Sequence, residues 1–309
     1  MTAAETVFEA VRGVTFGPAQ AFRNLTLIPL IATQAPETDY MILDDALAQG
    51  VVEIAETSEA GRVPELSVLN RGAKPVLLLD GEELIGAKQN RVLNLSILVP
   101  PHSSKTIPVS CVEAGRWSRR SAHFTSTPRT QNAEDRYAKM QQVTESLRVS
   151  GSRKSDQSAV WAGIEMKMSR LGAQSDTAAM SAMYEDFKQP LDEFVSAFHT
   201  IDGQVGALLL LNGRAGLELF DTPAAWNKLS SKLVRSYALD AIDHSRESAV
   251  PATPAKARAV IDAITSSQAS VFDAVGEGSD VRLTGADVGG AALVARGRTI
   301  HLSAFTTVR

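Results

Sequence analysis

LLLDGEELIGAKQNRVLNLS, residues 77–96, is the stretch on which the reading of this chain turns. Apolar runs close both ends, and Asp80, Glu82, Glu83, Lys88, Gln89, Asn90 and Arg91 fall within the twelve positions between. A solvated loop seldom mixes both charges with two amides while core-like strands hold it on each side. The segment is either a site or a buried structural clasp.

Strand parity sharpens the picture. Side chains alternate between the faces of a strand. Leu93, Leu95, Ile97 and Val99 therefore share one face and Asn94 and Ser96 the other, with Arg91 and Gln89 at the end of the apolar face. Along 107–113 the same rule groups Ile107, Val109, Cys111 and Glu113. A short connection, PPHSS (100–104), predicts a hairpin about His102 that pairs Leu95 with Val109, Leu93 with Cys111 and Arg91 with Glu113. A one-residue slip would turn an apolar face outward; a two-residue slip keeps the faces and stays open. Upstream, Asp80-Gly81 predicts a second hairpin turn that returns Glu82 and Glu83 toward the same sheet. Gly86 frees the backbone for a bend before Lys88, and Gly115-Arg116-Trp117 follows Glu113 directly.

The rim so formed offers three chemistries. Lys88, Arg91 and Arg116 suit phosphate oxygens, Trp117 suits a stacked base, and Gln89 and Asn90 can orient a ligand by hydrogen bonds. Glu82 or Glu113 could act on a proton, and Glu82, Glu83 and Glu113 together could hold a hard cation. Opposite charges at a sheet end also satisfy one another, fixing register with little gain in stability. The sequence does not choose among these.

Working outward, residues 1–117 look β-rich: LTLIPLI (25–31), ELSVL (65–69), PVLLL (75–79), VLNLSILV (92–99) and TIPVSCV (106–112) are short apolar runs bounded by Gly, Pro and Asn. A short helix, ILDDALAQG, interrupts them and stops at Gly50. Residues 118–135 are polar and predict a linker or loop. Residues 136–309 mix helices and hairpins. DQSAVWAGIEMKMSRL (156–171) spaces Val160, Ile164, Met168 and Leu171 as a helix with Asp156 as N-cap. The 223–244 helix is capped by Asp221 or Thr222, with Pro223 in its first turn and Trp226, Leu229, Leu233, Ala238, Ala241 and Ile242 as its apolar stripe. Another helix starts at Pro254 and runs to about Ser270. Asn212-Gly213 sets a hairpin in ALLLLNGRAGLELF (207–220), and residues 281–305 give two or three closing strands. The expected class is α+β, a mainly antiparallel β N-terminal half packed with a more helical C-terminal half.

Bulk properties exclude some functions. With 44% hydrophobic residues among 309, the chain can bury a core. A net charge of −4 argues against a general nucleic-acid binder. No run approaches the roughly 20 apolar residues of a membrane span, and the N-terminus lacks the pattern of a signal peptide. The expectation is a soluble, cytoplasmic protein. Cys111, the single cysteine, reads as a small core residue rather than a nucleophile. His102, His123, His199, His244 and His301 make no metal spacing, and no Walker, GxSxG or HExxH motif occurs. The basic cluster RWSRRS (116–121) reads as a solvated loop able to close over an anion.

At LLLDGEELIGAKQNRVLNLSILVP and IPVSCVEAGRW the sequence resembles the ARPP-1 family, ADP-ribosylglycohydrolase and rhodanese-phosphatase-superfamily-associated proteins of prokaryotes. The likeness extends from FRNLTLIPL through DQSAVW, NGRAGLELF and SYALDAI to IHLSAF, which implies one continuous domain. It implies a place in NAD or ADP-ribose metabolism by genomic association and assigns no residue a role. The leading expectation is therefore binding or processing of a phosphorylated small molecule, ADP-ribose or a related nucleotide. The alternative is a non-enzymatic interaction module whose polar rim is a structural clasp and whose helical half supplies a partner or homo-oligomer surface. A metal-dependent hydrolase using the three glutamates is a third reading. Neither a cofactor nor catalysis itself is decided by the residues.

Overall fold

Why residues 77–99 change direction twice becomes clear from the sheets they enter. The computed structural model describes residues 1–33, 35–58, 64–245 and 253–307. In chain order the elements are α1 (Ala3–Arg12), β1 (Val14–Phe16), β2 (Gln20–Phe22), β3 (Leu25–Ala32), β4 (Met41–Ile42), α2 (Leu43–Ala48), β5 (Val52–Glu56) and β6 (Glu65–Asn70). Next come β7 (Val76–Leu78), β8 (Glu82–Gly86), β9 (Arg91–Leu93), β10 (Ile97–Val99), β11 (Ser103–Cys111), β12 (Phe124–Thr130), α3 (Ala133–Ser150), α4 (Gln157–Leu171) and α5 (Ser181–Asp186). The chain continues with α6 (Lys188–Ala197), β13 (Gln204–Leu211), β14 (Arg214–Phe220), α7 (Pro223–Asp243), α8 (Pro254–Thr265), β15 (Gln268–Asp273), β16 (Ser279–Thr284), β17 (Val288–Ala295) and β18 (Arg298–Thr307).

Two units form. One comprises Met1–Thr38, Gln189–Ala274 and Gly278–Arg309; the other comprises Asp39–Lys188 with Val275–Glu277. The first holds an antiparallel sheet, nine-stranded among the described residues, in the order β1-β3-β13-β14-β18-β17-β16-β15, with β2 also on β3. Its central strands are apolar on both faces because both are covered. Leu208 and Leu210 of β13 join Val7, Val11, Val260 and Ile264 of α1 and α8 in one core. On the other face α7 lies over β13, β14 and β3 and buries Trp226, Leu229 and Leu233. Asn212 and Gly213 both take positive φ, 51° and 76°, as the tight turn between β13 and β14 requires.

The second unit carries a six-stranded sheet, β12-β8-β9-β11-β6-β5, and a three-stranded one, β10-β7-β4. Leu43, Ile54, Val68, Leu78, Leu84, Leu93, Val99 and Val109 belong to one core built from both. The expected strand 92–99 is two strands. β9 pairs with β8 and β11, β10 pairs with β7, and Asn94 to Ser96 carry the chain from one sheet to the other. Those polar residues stabilise the crossing: Ser96 Oγ accepts from Asp80 N–H at 3.0 Å, and Asn94 Oδ1 accepts from Ser110 Oγ at 2.6 Å. Asp80-Gly81 makes the predicted turn, closed by Glu82 N–H to Leu79 C=O at 3.1 Å, yet β7 and β8 enter different sheets instead of pairing.

The α+β class holds, with helices and mainly antiparallel sheets throughout; β4 runs parallel to β7. A strand-rich first half and a helical second half do not emerge clearly, since the nine-stranded sheet draws on both ends of the chain. Within 118–135, β12 pairs with β8 and α3 begins at Ala133, so that segment is not simply a loop. The helix from Pro254 ends at Thr265, five residues early, because β15 starts at Gln268. Asp156 and Thr222 cap α4 and α7 as expected. Among the described residues no helix is long and apolar enough to cross a membrane.

Candidate functional site

β9 and β11 define the candidate site. Their register sets Leu93 opposite Val109 and Arg91 opposite Cys111, two residues from the predicted pairing, with the faces as predicted. Arg91 therefore does not meet Glu113. Leu84 of β8 lies on the other side of Arg91, so a fully buried guanidinium closes a core face of Leu84, Leu93 and Val109.

Glu113 pairs instead with Arg116, at 2.6 Å from Oε2 to Nη2. The same carboxylate accepts from Asn90 N–H at 3.1 Å and from Thr177 Oγ1 at 2.9 Å. Burial pushes the Glu113 carboxyl up, but these hydrogen bonds and the Arg116 charge outweigh it and hold it below the usual carboxylate range. Arg116 Nη1 donates to Ala87 C=O and Ser118 C=O, both at 2.9 Å, and Nη2 also to Asn90 Oδ1 at 3.0 Å, while Nε has no acceptor among the described residues. This network is the clasp, and it fixes the bend at Gly86, whose φ is 135°.

The three glutamates have separate partners. Glu82 accepts from Leu79 N–H at 3.2 Å, and Glu83 from Arg129 Nε at 2.8 Å and Thr127 Oγ1 at 3.2 Å. Glu83 lies beside Val92, on the opposite face from Arg91. Burial pushes its carboxyl up despite the Arg129 charge. Among the described residues these glutamates do not form a group with metal-ligand spacing, so the three-glutamate hydrolase reading falls. Asp80 serves the turn: Lys139 of α3, itself buried, donates to its Oδ1 at 2.9 Å and also to Leu93 C=O.

Arg91 is different. Its Nη1 donates to Gln89 Oε1 at 3.0 Å, while Nε and Nη2 find no hydrogen-bond acceptor among the described residues. These two nitrogens form one edge of the guanidinium fork, the geometry that binds paired oxygens. Glu56, at the end of β5, stands with Oε1 at 3.9 Å from Nη2, an ion-pair distance too long for a hydrogen bond. Neither Glu56 oxygen has a hydrogen-bond donor among the described residues, and Thr57 Oγ1 is likewise unpartnered. Gln89 also accepts from Cys111 Sγ at 2.9 Å and donates to Glu113 C=O at 3.0 Å.

α4 completes the group. Gln157 holds the Cys111 backbone from both sides, accepting from its N–H and donating to its C=O, each at 2.8 Å. One turn later the Trp161 indole N–H is buried without an acceptor and beside the Cys111 sulfur. Burial dominates at Cys111 and raises its pKa, which keeps it a thiol, as its reading as a core residue expects. Over Arg91 lies Trp117, ring centroid 5.7 Å from Cζ and 47% exposed, with Lys88 Nζ at 5.4 Å from the same ring.

Lys88, Gln89, Arg91 and Trp117 are thus brought together, while Asn90 and Arg116 are occupied by Glu113. Glu56 and Trp161 escaped the sequence reading, although Glu56 continues the core-facing alternation Val52, Ile54, Glu56, the mirror of Leu93 to Arg91. Charge decides what fits there. At about 4 Å and an effective dielectric near 20, two like charges repel by about 4 kcal/mol. A phosphate is therefore better placed at Lys88 and the open side of Trp117 than against Glu56.

A mainly antiparallel α+β unit closed by an arginine-centred polar cluster is the class of protein that fold and site define. Residues 13–305 match the ARG and Rhodanese-Phosphatase-superfamily-associated Protein domain, ARPP-1, and the chain belongs to that family. Among curated proteins no match was found. An inactive mutant of the CurK dehydratase aligns over 97% of this chain and 96% of that one at 8% identity, with a TM-score of 0.14, too low to bear on the fold.

Proposed function

We infer that this chain binds, and in its cellular setting processes, a phosphorylated small molecule through Lys88, Gln89, Arg91 and Trp117. ADP-ribose or a related nucleotide of NAD and ADP-ribose metabolism fits best. The carrying observation is Arg91: a buried guanidinium whose Nε and Nη2 edge lacks acceptors, beneath a half-exposed indole that also carries Lys88. Buried polar groups are nearly always satisfied, so an unsatisfied charged edge beside an aromatic face points to an oxygen-rich, base-bearing partner. The family description, which associates these proteins with ARG and rhodanese-phosphatase proteins, supports the same substrate class. Asn90, Arg116 and Glu113 take the supporting role of holding the Gly86 bend, and Glu113, kept ionised, suits charge stabilisation better than proton donation. Glu82 remains the acid or base candidate of this reading.

A thermal-shift screen of ADP-ribose, ADP-ribose 1″-phosphate, NAD, AMP and phosphate tests it. A ligand at a hundredfold over its Kd raises stability by about 2.7 kcal/mol. Arg91→Lys, which keeps the charge and loses the fork, is expected to remove the shift in a folded protein. No shift across the panel sinks the proposal. The second reading, a non-enzymatic interaction or scaffold module, draws on the Glu113–Arg116 clasp, whose opposite charges meet each other without a ligand.

A further inference from the structure

Arg91 and three side chains of the same unit carry unpartnered polar atoms of both kinds. Arg91 Nε and Nη2 and Trp161 Nε1 are donors; both Glu56 oxygens are acceptors; Thr57 Oγ1 is either. Cys111, opposite Arg91 and beside Trp161, ties the donors into one cluster, and the 3.9 Å from Arg91 to Glu56 ties in the acceptors. Arg91 and both Glu56 oxygens are buried, and the 11% exposure of the rest of the Glu56 side chain marks the side of the group nearest solvent.

A phosphate satisfies only half of this set. It accepts from Arg91 and Trp161, but it has no proton for Glu56 and adds like charge beside it. A carboxylate partner for Arg91 fails for the same reason. A hydroxyl donates one hydrogen bond and accepts others. Two hydroxyls on adjacent carbons can place both protons on one carboxylate while their lone pairs face a guanidinium edge. Carboxylates hold ribose hydroxyls in dinucleotide-binding folds by the same chemistry.

We propose that the Arg91–Glu56 pair is a subsite for the vicinal diol of a ribose, gripping the sugar while Lys88 and Trp117 take the phosphate and base. This rests on the nucleotide reading above and deepens it. Glu56 becomes the residue that selects ribose over deoxyribose, and Arg91 a sugar-binding residue in place of a phosphate anchor.

Calorimetric titration of the full chain with AMP, 2′,3′-dideoxy-AMP, ADP-ribose and inorganic pyrophosphate tests the assignment and needs no variant. The expected result is that AMP binds at least about tenfold more tightly than its dideoxy analogue, the loss of hydrogen bonds to a charged group. Glu56→Gln, at a partly exposed position compatible with folding, is expected to weaken AMP to a similar degree and to leave pyrophosphate unchanged or tighter. Equal affinity for AMP and the dideoxy analogue overturns the diol subsite and leaves the nucleotide reading standing. Tighter AMP binding by Glu56→Gln does the same, since the group beside Glu56 is then an anion. Failure of every nucleotide to bind overturns the reading on which the subsite rests.

Discussion

Glu83, three residues before the Gly86 bend, and Glu113, which accepts from Asn90 N–H just after it, respond to acid in opposite senses. Glu113 is held below the ordinary carboxylate range, so its contribution is present above its unfolded value and lost as pH falls through its folded one. Glu113→Gln is expected to cost about 1.5–3 kcal/mol at neutral pH, the range for hydrogen bonds to a charged group. In denaturant melts from pH 7 downward the gap to wild type should close through the acid range; a gap that stays constant shows that Glu113 is not ionised in the fold. Glu83 is raised by burial, so what it contributes is present below its unfolded value and lost as pH rises through its folded one. Cys111 gives a third test at this scale. With its pKa raised and its side chain fully buried, it should resist a thiol reagent at pH 8 in the native protein and react at once in denaturant.

Elements were legible where local chemistry speaks alone. Asp156 and Thr222 announced α4 and α7, and Asn212-Gly213 announced the β13–β14 turn, because capping and positive φ are set by neighbours in sequence. The β9–β11 faces were legible too, but the register was not, since parity survives a two-residue slip. The break after Leu93 was hidden because two short strands of different sheets make one continuous apolar run. α3 was missed for a related reason: its buried face includes Arg136, Lys139 and Thr144, so no apolar stripe marks it. Likewise the pairing of Glu113 with Arg116 and the approach of Glu56 to Arg91 depend on the sheet, which no local pattern encodes. At this scale Gly86→Ala is the informative substitution. A Cβ there would meet His123 C=O and Ser121 Oγ at 2.6 Å, at a φ of 135°. The expected cost is at least about 1–3 kcal/mol from backbone strain, together with loss of the ligand-induced thermal shift. A variant as stable as wild type would show that the bend tolerates a side chain.

At the scale of the whole molecule, one unit is continuous but for three residues and the other is not. Val275 packs in the core of the Asp39–Lys188 unit, and Glu277 N–H donates to Leu98 C=O at 2.8 Å, so three residues from late in the chain belong to that unit. The remaining unit is assembled from segments on either side of the other one, with β3 as the direct neighbour of β13. Cutting the chain after Lys188 should therefore leave Gln189–Arg309 insoluble by itself and soluble when co-expressed with Met1–Lys188. Independent solubility of the second fragment would mean that β13 does not need β3.

The β3–β13 pairing also sets a timetable for birth on the ribosome. β3 leaves the exit tunnel roughly 180 residues of synthesis before β13 does, a wait on the order of 10–30 s at typical elongation rates. Throughout that interval an apolar strand, LTLIPLIA, is nascent with an open edge, while the intervening unit can already complete most of its own sheets. A holding chaperone at the tunnel mouth should thus raise the yield of this protein more than that of a chain whose strands pair in the order in which they emerge.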